Sequence, residues 1–343
     1  MKKTLDSFRQ LIYNFIQLSR VKSMVTKKFY GGIYQMKKAI SIILVLVMIV
    51  AMSVCAFAES KVIYFLPPAM TSPFYASCIE GAEPVAEALG YELKVLAPKS
   101  EDDYEGYKSL MEDAITSGAA GLACCCIDLE AVTAGIKDAN AAGIPVVMFN
   151  TITELEGVEV YAYSGYNQYN GGAKIADWVN EQTGGKANVA IIEGLPSDYT
   201  TQRMGGFVDR CKEVYPEIVL VASQPGDWVR ETGMNAAMDM IQAHPEINVI
   251  YGLSDEMALG AVQACKQLGR DDIICVGLDG NPNAFESVKA GELTATLDCG
   301  PVAIGANAIK AVAEAIEGVE REEKVIEAET TVVDLTLVDD YLK

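Results

Sequence analysis

The sequence predicts an α/β protein built from two doubly wound lobes, each around a parallel sheet. Three observations carry this. From Lys61 onward, ten short apolar or β-branched runs alternate with helical stretches of ordinary length. Many of the runs are apolar throughout, as strands covered on both faces must be. The chain has 343 residues, which is more than one ordinary domain.

The strand-like runs begin with VIYFLP (62–67), YELKVLAP (91–98), GLACC (121–125), IPVVMFN (144–150) and VEVYAYSG (158–165). They continue with ANVAIIEG (187–194), IVLVASQP (218–225), NVIYGLSD (248–255), IICVGLDG (273–280) and LTATLDCG (293–300). Helical stretches fall between them at 75–89, 104–117, 130–142, 168–183, 200–214, 230–243, 256–268, 282–290 and 301–317. Strands separated by helices imply βαβ units and parallel pairing. The punctuation agrees. Ser254-Asp255 precedes an apolar-periodic run as a helix N-cap, and Gly90 and Gly269 stand where helices close. Two sets of about five strands give the two lobes, with the break near Ser164. No strand–GxGxxG–helix fingerprint and no Walker A pattern is present, which disfavours dinucleotide and nucleotide chemistry.

Charge excludes further classes. The formal net charge is −20. Residues 1–58 carry nine Lys/Arg and one acidic residue, Asp6, so the remainder holds 18 basic against 46 acidic side chains. Such a body repels nucleic acid and anionic membranes. Half of the residues are hydrophobic, which excludes global disorder.

A targeting segment precedes the body. Lys37 and Lys38 form a basic region, Ile40 to Val50 an apolar one, and Ala56-Phe57-Ala58 a small-residue cleavage site before Glu59. Residues 36–58 read as a secretory signal peptide, residues 1–35 as a mis-called extension, and Met36 as the true start. The alternatives are an uncleaved anchor, or a lipoprotein acylated at Cys55, where Val54 is bulkier than the usual neighbour.

TSPFYASCIEGAEPVAEALGYEL (71–93), AAGIPVVMFNT (141–151), GGAKIADWV (171–179), SQPGDWVRETG (223–233), SDEMALGAVQAC (254–265) and VGLDGNPNAFESVKAGELTATLDCGP (276–301) follow one another in a recognisable order. The chain from 61 to 338 resembles the periplasmic sugar-binding proteins of ABC transporters, in the ribose-binding-protein-like, type I branch. The wider family includes effector domains of lactose-repressor-like regulators. The resemblance implies two lobes joined by a three-segment hinge near Ser164, Gly300 and Glu327. The first lobe would comprise 61–164 plus 300–326, and the second 165–299 plus 327–343. Ligand would sit between them, beyond the carboxyl ends of the strands, with hinge closure excluding water.

The resemblance also implies a site. Phe74, with Tyr75 beside it, matches a ring-stacking aromatic, and Trp228 matches its counterpart on the opposite lobe. Two aromatic faces sandwich the C–H faces of a sugar. Asp279 matches a carboxylate that accepts paired hydroxyls. Asn150 stands where a carboxylate is frequent, and Ser72 and Ser254 where Asn is common. The chain departs from its pentose-binding relatives at Thr151 and Thr201, where they carry arginines, and at Cys299, where they carry a glutamine-type contact. Those departures favour a neutral sugar, polyol or cyclitol over ribose. Each residue also has a structural alternative: Phe74 as a core plug, Trp228 as an interface residue, Asp279 as a turn residue before Gly280. Thr201 and Cys299 read as bystanders of the cleft, and Arg203 and Arg230 as ion-pair partners.

Cys124, Cys125 and Cys126 sit together at the end of the third strand. Alternation sends Cys124 and Cys126 one way and Cys125 the other. There is no CxxC pair and one histidine, His244, so a metal site is disfavoured. A bridge between adjacent residues is strained. The cysteines read as small apolar filling. No cofactor is expected. The function that follows is that of a non-enzymatic receptor: an exported monomer that hands a small carbohydrate to ABC permease subunits, with a chemoreceptor as an alternative partner. The rival readings are a receptor for a nucleoside or furanosyl signal, a regulator with the same effector fold, and a secreted enzyme on the same scaffold.

Overall fold

A computed structural model describes residues 61–125 and 128–342, with Gln17 and Lys22 besides. The segment read as a signal peptide, the rest of the stretch before it, Cys55 and Cys126 lie outside the described residues. In chain order the body runs β1 (Val62–Leu66), α1 (Pro73–Leu89), β2 (Glu92–Val95), α2 (Tyr104–Thr116), β3 (Gly121–Cys124), α3 (Leu129–Ala141), β4 (Val146–Phe149) and β5 (Ala162–Gly165). It continues with α4 (Gln168–Thr183), β6 (Ala187–Glu193), α5 (Asp198–Val214), β7 (Ile218–Pro225), α6 (Arg230–Ala243), β8 (Val249–Gly252), α7 (Asp255–Leu268) and β9 (Ile274–Asp279). It closes with α8 (Pro282–Lys289), β10 (Ala295–Asp298), α9 (Pro301–Ile316), β11 (Val325–Glu327), β12 (Thr331–Asp334) and a 3₁₀ turn at Val338–Asp340.

Two six-stranded sheets result. The first has the order β11-β5-β4-β3-β1-β2 and is parallel throughout. The second has the order β12-β10-β9-β8-β6-β7, parallel except for β12, which runs antiparallel to β10. The fold is therefore two doubly wound α/β lobes. Their central strands β3, β4 and β8 are buried at every position, which is why they lack a polar alternation. The edge strands β11 and β12 complete the sheets beyond the ten strand-like runs. They are short, partly exposed and embedded in a charged stretch, so they carry little apolar signal.

The chain passes between the sheets three times: from β5 to α4, from β10 to α9, and from β11 to β12. At the second passage Gly300 takes a left-handed conformation (φ 66°), which turns the chain straight into α9 behind Pro301. At the first and third, the Ala328 amide donates to the Gly165 carbonyl at 2.7 Å, so two passages are tied together. Helix ends follow the sequence pattern. Ser254 Oγ accepts from the Met257 amide, and Gly90 and Gly269 close their helices at φ 79° and 66°.

Helix α9 returns to the first lobe and packs on α1 at very close range. A β-carbon on Gly305 would overlap the Cys78 carbonyl, and one on Gly81 would overlap that of Val302. The two glycines set the helix separation. Gly305→Ala should therefore lower the unfolding free energy by roughly 1–3 kcal/mol. Denaturant melts of both proteins check this, and an unchanged midpoint would refute it.

Candidate functional site

Loops at the carboxyl ends of both sheets line one cavity. The first lobe contributes Ser72, Phe74 and Tyr75 from the β1–α1 junction, Glu101 from the β2–α2 loop and Asn150 from the end of β4. The second contributes Tyr199 and Arg203 from α5, Trp228 from the β7–α6 junction, Ser254 and Glu256 at the start of α7, and Asp279 at the end of β9. An outer cavity adjoins it and shares Ser72, Glu101, Trp228 and Glu256.

Four non-glycine residues among those described have positive φ: Asn150 (62°), Asp227 (54°), Trp228 (65°) and Asp279 (153°). All four line one or other cavity. A left-handed backbone costs an L-residue free energy and persists only where the surroundings impose it. Here it turns side chains at strand ends toward the space between the lobes. Trp228 lies flat over Gly194, where any β-carbon would collide with the indole.

Arg203 is the centre of the polar network. It is 4% exposed. Its Nε donates to Gln168 Oε1 at 2.8 Å, and Nη1 donates to the Leu253 carbonyl at 2.6 Å and reaches Asp279 Oδ1 at 3.3 Å. The guanidinium lies over Trp228 at 5.3 Å from the ring centroid and over Tyr166 at 5.9 Å. Gln168 Nε2 in turn donates to the Asn150 carbonyl at 3.0 Å, so the network joins the two lobes. Burial raises the Asp279 carboxyl to about 6, with Arg203 holding it lower than burial alone would.

Asp255, fully buried, positions Asp279. Its Oδ2 accepts from the Gly280 and Asn281 amides at 3.0 and 2.8 Å, and its Oδ1 accepts from Thr296 Oγ1 at 2.5 Å. Its own amide donates to Asp279 Oδ2 at 3.3 Å. Burial, and then Asp279, push its carboxyl well above the usual range.

Two buried polar atoms on the cavity have no protein partner among the described residues: Asn150 Oδ1 and Trp228 Nε1. Buried groups of this kind are normally satisfied. One acceptor and one donor, on opposite lobes, thus face a space that a polar ligand would fill.

The structure brings Ser72, Phe74, Tyr75, Asn150, Trp228, Ser254 and Asp279 to this cavity. It does not bring Thr151, Thr201 or Cys299 there. Thr151 Oγ1 accepts the Thr153 amide and packs beside Gly165. Thr201 lies half a turn from the cavity face of α5 and donates to the Ser197 carbonyl at 3.0 Å. Cys299 is fully buried with its sulfur near the Leu297 carbonyl. Arg230 pairs with Glu256 through two contacts of 2.7 and 2.8 Å. Glu101, Tyr199 and Glu256 are cavity residues that the sequence reading passed over, and Arg203 is both an ion-pair partner and a lining residue. The signal for Arg203 was its spacing: Tyr199 and Arg203 are four apart and share a helix face, which excludes Thr201.

Burial divides the cysteines as strand alternation requires. Cys124 packs with Leu66, Met111 and Met148 on one side of the first sheet, and Cys125 with Phe74 and Tyr75 on the other. Cys125 Sγ lies 3.6 Å from Tyr199 Oη, across the lobe boundary. His244 ends α6, is partly exposed, and contacts Glu246 at 3.2 Å. Helix α6 starts at the outer cavity, so His244 stands about 20 Å away along its axis.

A two-lobed α/β body whose strand ends enclose one polar, aromatic-lined cavity defines a hinged solute-binding protein. The chain belongs to the periplasmic binding protein domain family, whose pattern spans residues 63–320. It is 32% identical over 250 residues to the ribose import binding protein of Bacillus subtilis (strain 168), covering 73% of this chain and 79% of that one. It is 30% identical to the D-allose-binding periplasmic protein of Escherichia coli (strain K12), covering 77% and 87%. An ABC transporter periplasmic solute binding protein from Actinobacillus succinogenes, solved with bound D-allose, superposes with a TM-score of 0.77 at 31% identity, covering 82% of this chain and 99% of that one.

Removing one member of the buried pair leaves the other charged and unpaired. Arg203→Met should lower the unfolding free energy by about 3–5 kcal/mol. Arg203→Met with Asp279→Leu should recover part of that loss. Urea melts of the three proteins test this, and a double variant no more stable than the single one would contradict it.

Proposed function

We propose that the protein is an exported, monomeric receptor that encloses a small sugar, polyol or cyclitol between its lobes and presents it to the permease subunits of an ABC transporter. The observation that carries this is the pairing of Phe74 and Trp228 from opposite lobes around the unpartnered Asn150 Oδ1 and the Asp279 carboxylate. Aromatic rings suit the C–H faces of a ring ligand, and the polar atoms suit its hydroxyls. The names of the relatives, which bind ribose and allose, support the same class. The basic, apolar and small-residue regions of 36–58 support export, and the relatives' periplasmic names agree with it.

Binding would be a clamp rather than a reaction. The open form exposes each lobe's residues, ligand binds one set, and closure adds the other. Ligand then stabilises the closed form by its differential affinity for it. His244 contributes nothing to the cavity, so imidazole acid–base chemistry has no place in this scheme.

A thermal-shift screen of the purified protein against sugars, polyols and cyclitols tests the reading. A ligand at one hundred times its Kd should add about 2.7 kcal/mol of stability. Trp228→Ala and Asn150→Ala should each weaken binding by roughly tenfold or more, the equivalent of about 1.4 kcal/mol. A full response retained in both variants would place the ligand elsewhere.

A further inference from the structure

The charged groups on the cavity do not balance. Asp279 is matched by Arg203 at 3.3 Å. Glu256 is matched by Arg230 at 2.7 Å and also accepts from Asn283 Nδ2 at 2.8 Å. Glu101, half-buried on the β2–α2 loop, has no hydrogen bond or ion pair among the described residues. It faces the second lobe from the first, and it lines both the inner and the outer cavity.

The outer cavity repeats the imbalance. Its lining holds five carboxylates (Glu101, Asp102, Asp227, Glu231 and Glu256) against two bases, Lys99 and Arg230. A mouth of one sign concentrates ligands of the other. Inside, the independent observation is Asn150. Its side chain is 3% exposed and its unpartnered atom is Oδ1, an acceptor. Trp228 Nε1 is the one unpartnered donor beside it, so the carboxylate of Glu101 is what tips the unpartnered atoms of the cavity toward acceptors. A hydroxyl offers one donor and two acceptor lone pairs, whereas an ammonium offers three donors and no acceptor.

We propose that the ligand carries a protonated amino group among its hydroxyls, as an amino sugar or amino-polyol does, and that Glu101 is the residue that receives it. The proposal rests on the reading of the cleft as a sugar or polyol site and narrows its ligand class. Binding forms a charge-assisted hydrogen bond from the ammonium to the carboxylate, stronger than the neutral bond a hydroxyl would make. Uronic acids and sugar phosphates would meet the acidic mouth and be rejected.

The electrostatics of the cleft agree. Burial, and then the neighbouring Asp279, push the Glu101 carboxyl up to about 7, with Arg203 opposing the shift and Asp102 adding to it. Lys99 and Arg230 stand on the same outer cavity without pairing to Glu101. An ammonium beside Glu101 would favour its ionised form. Affinity for the amine should thus rise as pH increases from about 5.5 to about 7, while the group ionises.

The test is calorimetric titration with matched pairs: glucosamine with glucose, galactosamine with galactose, mannosamine with mannose, and 1-amino-1-deoxysorbitol with sorbitol. The wild type should bind at least one amine about tenfold more tightly than its hydroxyl parent at pH 7. Glu101→Gln should abolish that preference and its pH dependence. The unliganded melting temperature should stay level or rise. A parent that binds without any tighter amine, or a preference that survives Glu101→Gln, overturns the proposal and leaves the receptor reading intact. Silence from every pair, amines and parents alike, overturns both.

Discussion

The buried contact between Arg203 and Asp279 is the constraint on which the cleft depends. A charged pair removed from water is tolerated only when the remaining donors and acceptors are satisfied. Arg203 meets that demand through Gln168, the Leu253 carbonyl and two aromatic faces. Asp279 meets it through the Asp255 amide and the Asn281 side chain. Each partner also lines the cavity. The network that neutralises one charge therefore fixes Trp228, Asn150 and the β9 turn in register with one another.

Much of the local geometry follows from this. Positive φ values at Asn150, Trp228 and Asp279 are unfavourable in isolation, and they recur at the ends of strands where polar side chains must turn inward. Asn150 Oδ1 and Trp228 Nε1 are left without protein partners in the same place. A cleft with strained backbone and unsatisfied buried atoms is less stable than it could be. A ligand that met those atoms would relieve part of that deficit and so favour the closed state.

The lobes were legible in the sequence because buried parallel strands and amphipathic helices impose different periods. All ten strand-like runs contain strands of the structure, and the nine helical stretches match its nine helices among the described residues. Strands β11 and β12 were not legible, since each is three or four residues long at a sheet edge. Site residues fixed by a strand end and a turn, such as Asn150 before its left-handed bend and Asp279 before Gly280, stood out by position. Thr201 was named for the position at which relatives carry arginine and read as a bystander of the cleft; the phase of α5 puts Tyr199 and Arg203 on the cavity instead. Glu101 lay hidden in SEDDYEG, where an acidic loop residue looks like any other solvated charge. Only the opposite lobe reveals its surroundings.

The return of α9 has an implication for biogenesis. The glycine-marked face of α1 near residue 81 is covered by a helix that begins at Pro301, more than two hundred residues later. Until that distant segment emerges, the first lobe lacks the cover for α1 and its β11 edge, however soon its earlier strands pair. Assembly must close a very long loop, a step that is slow in general. The first lobe therefore completes itself only after almost the whole length has been made.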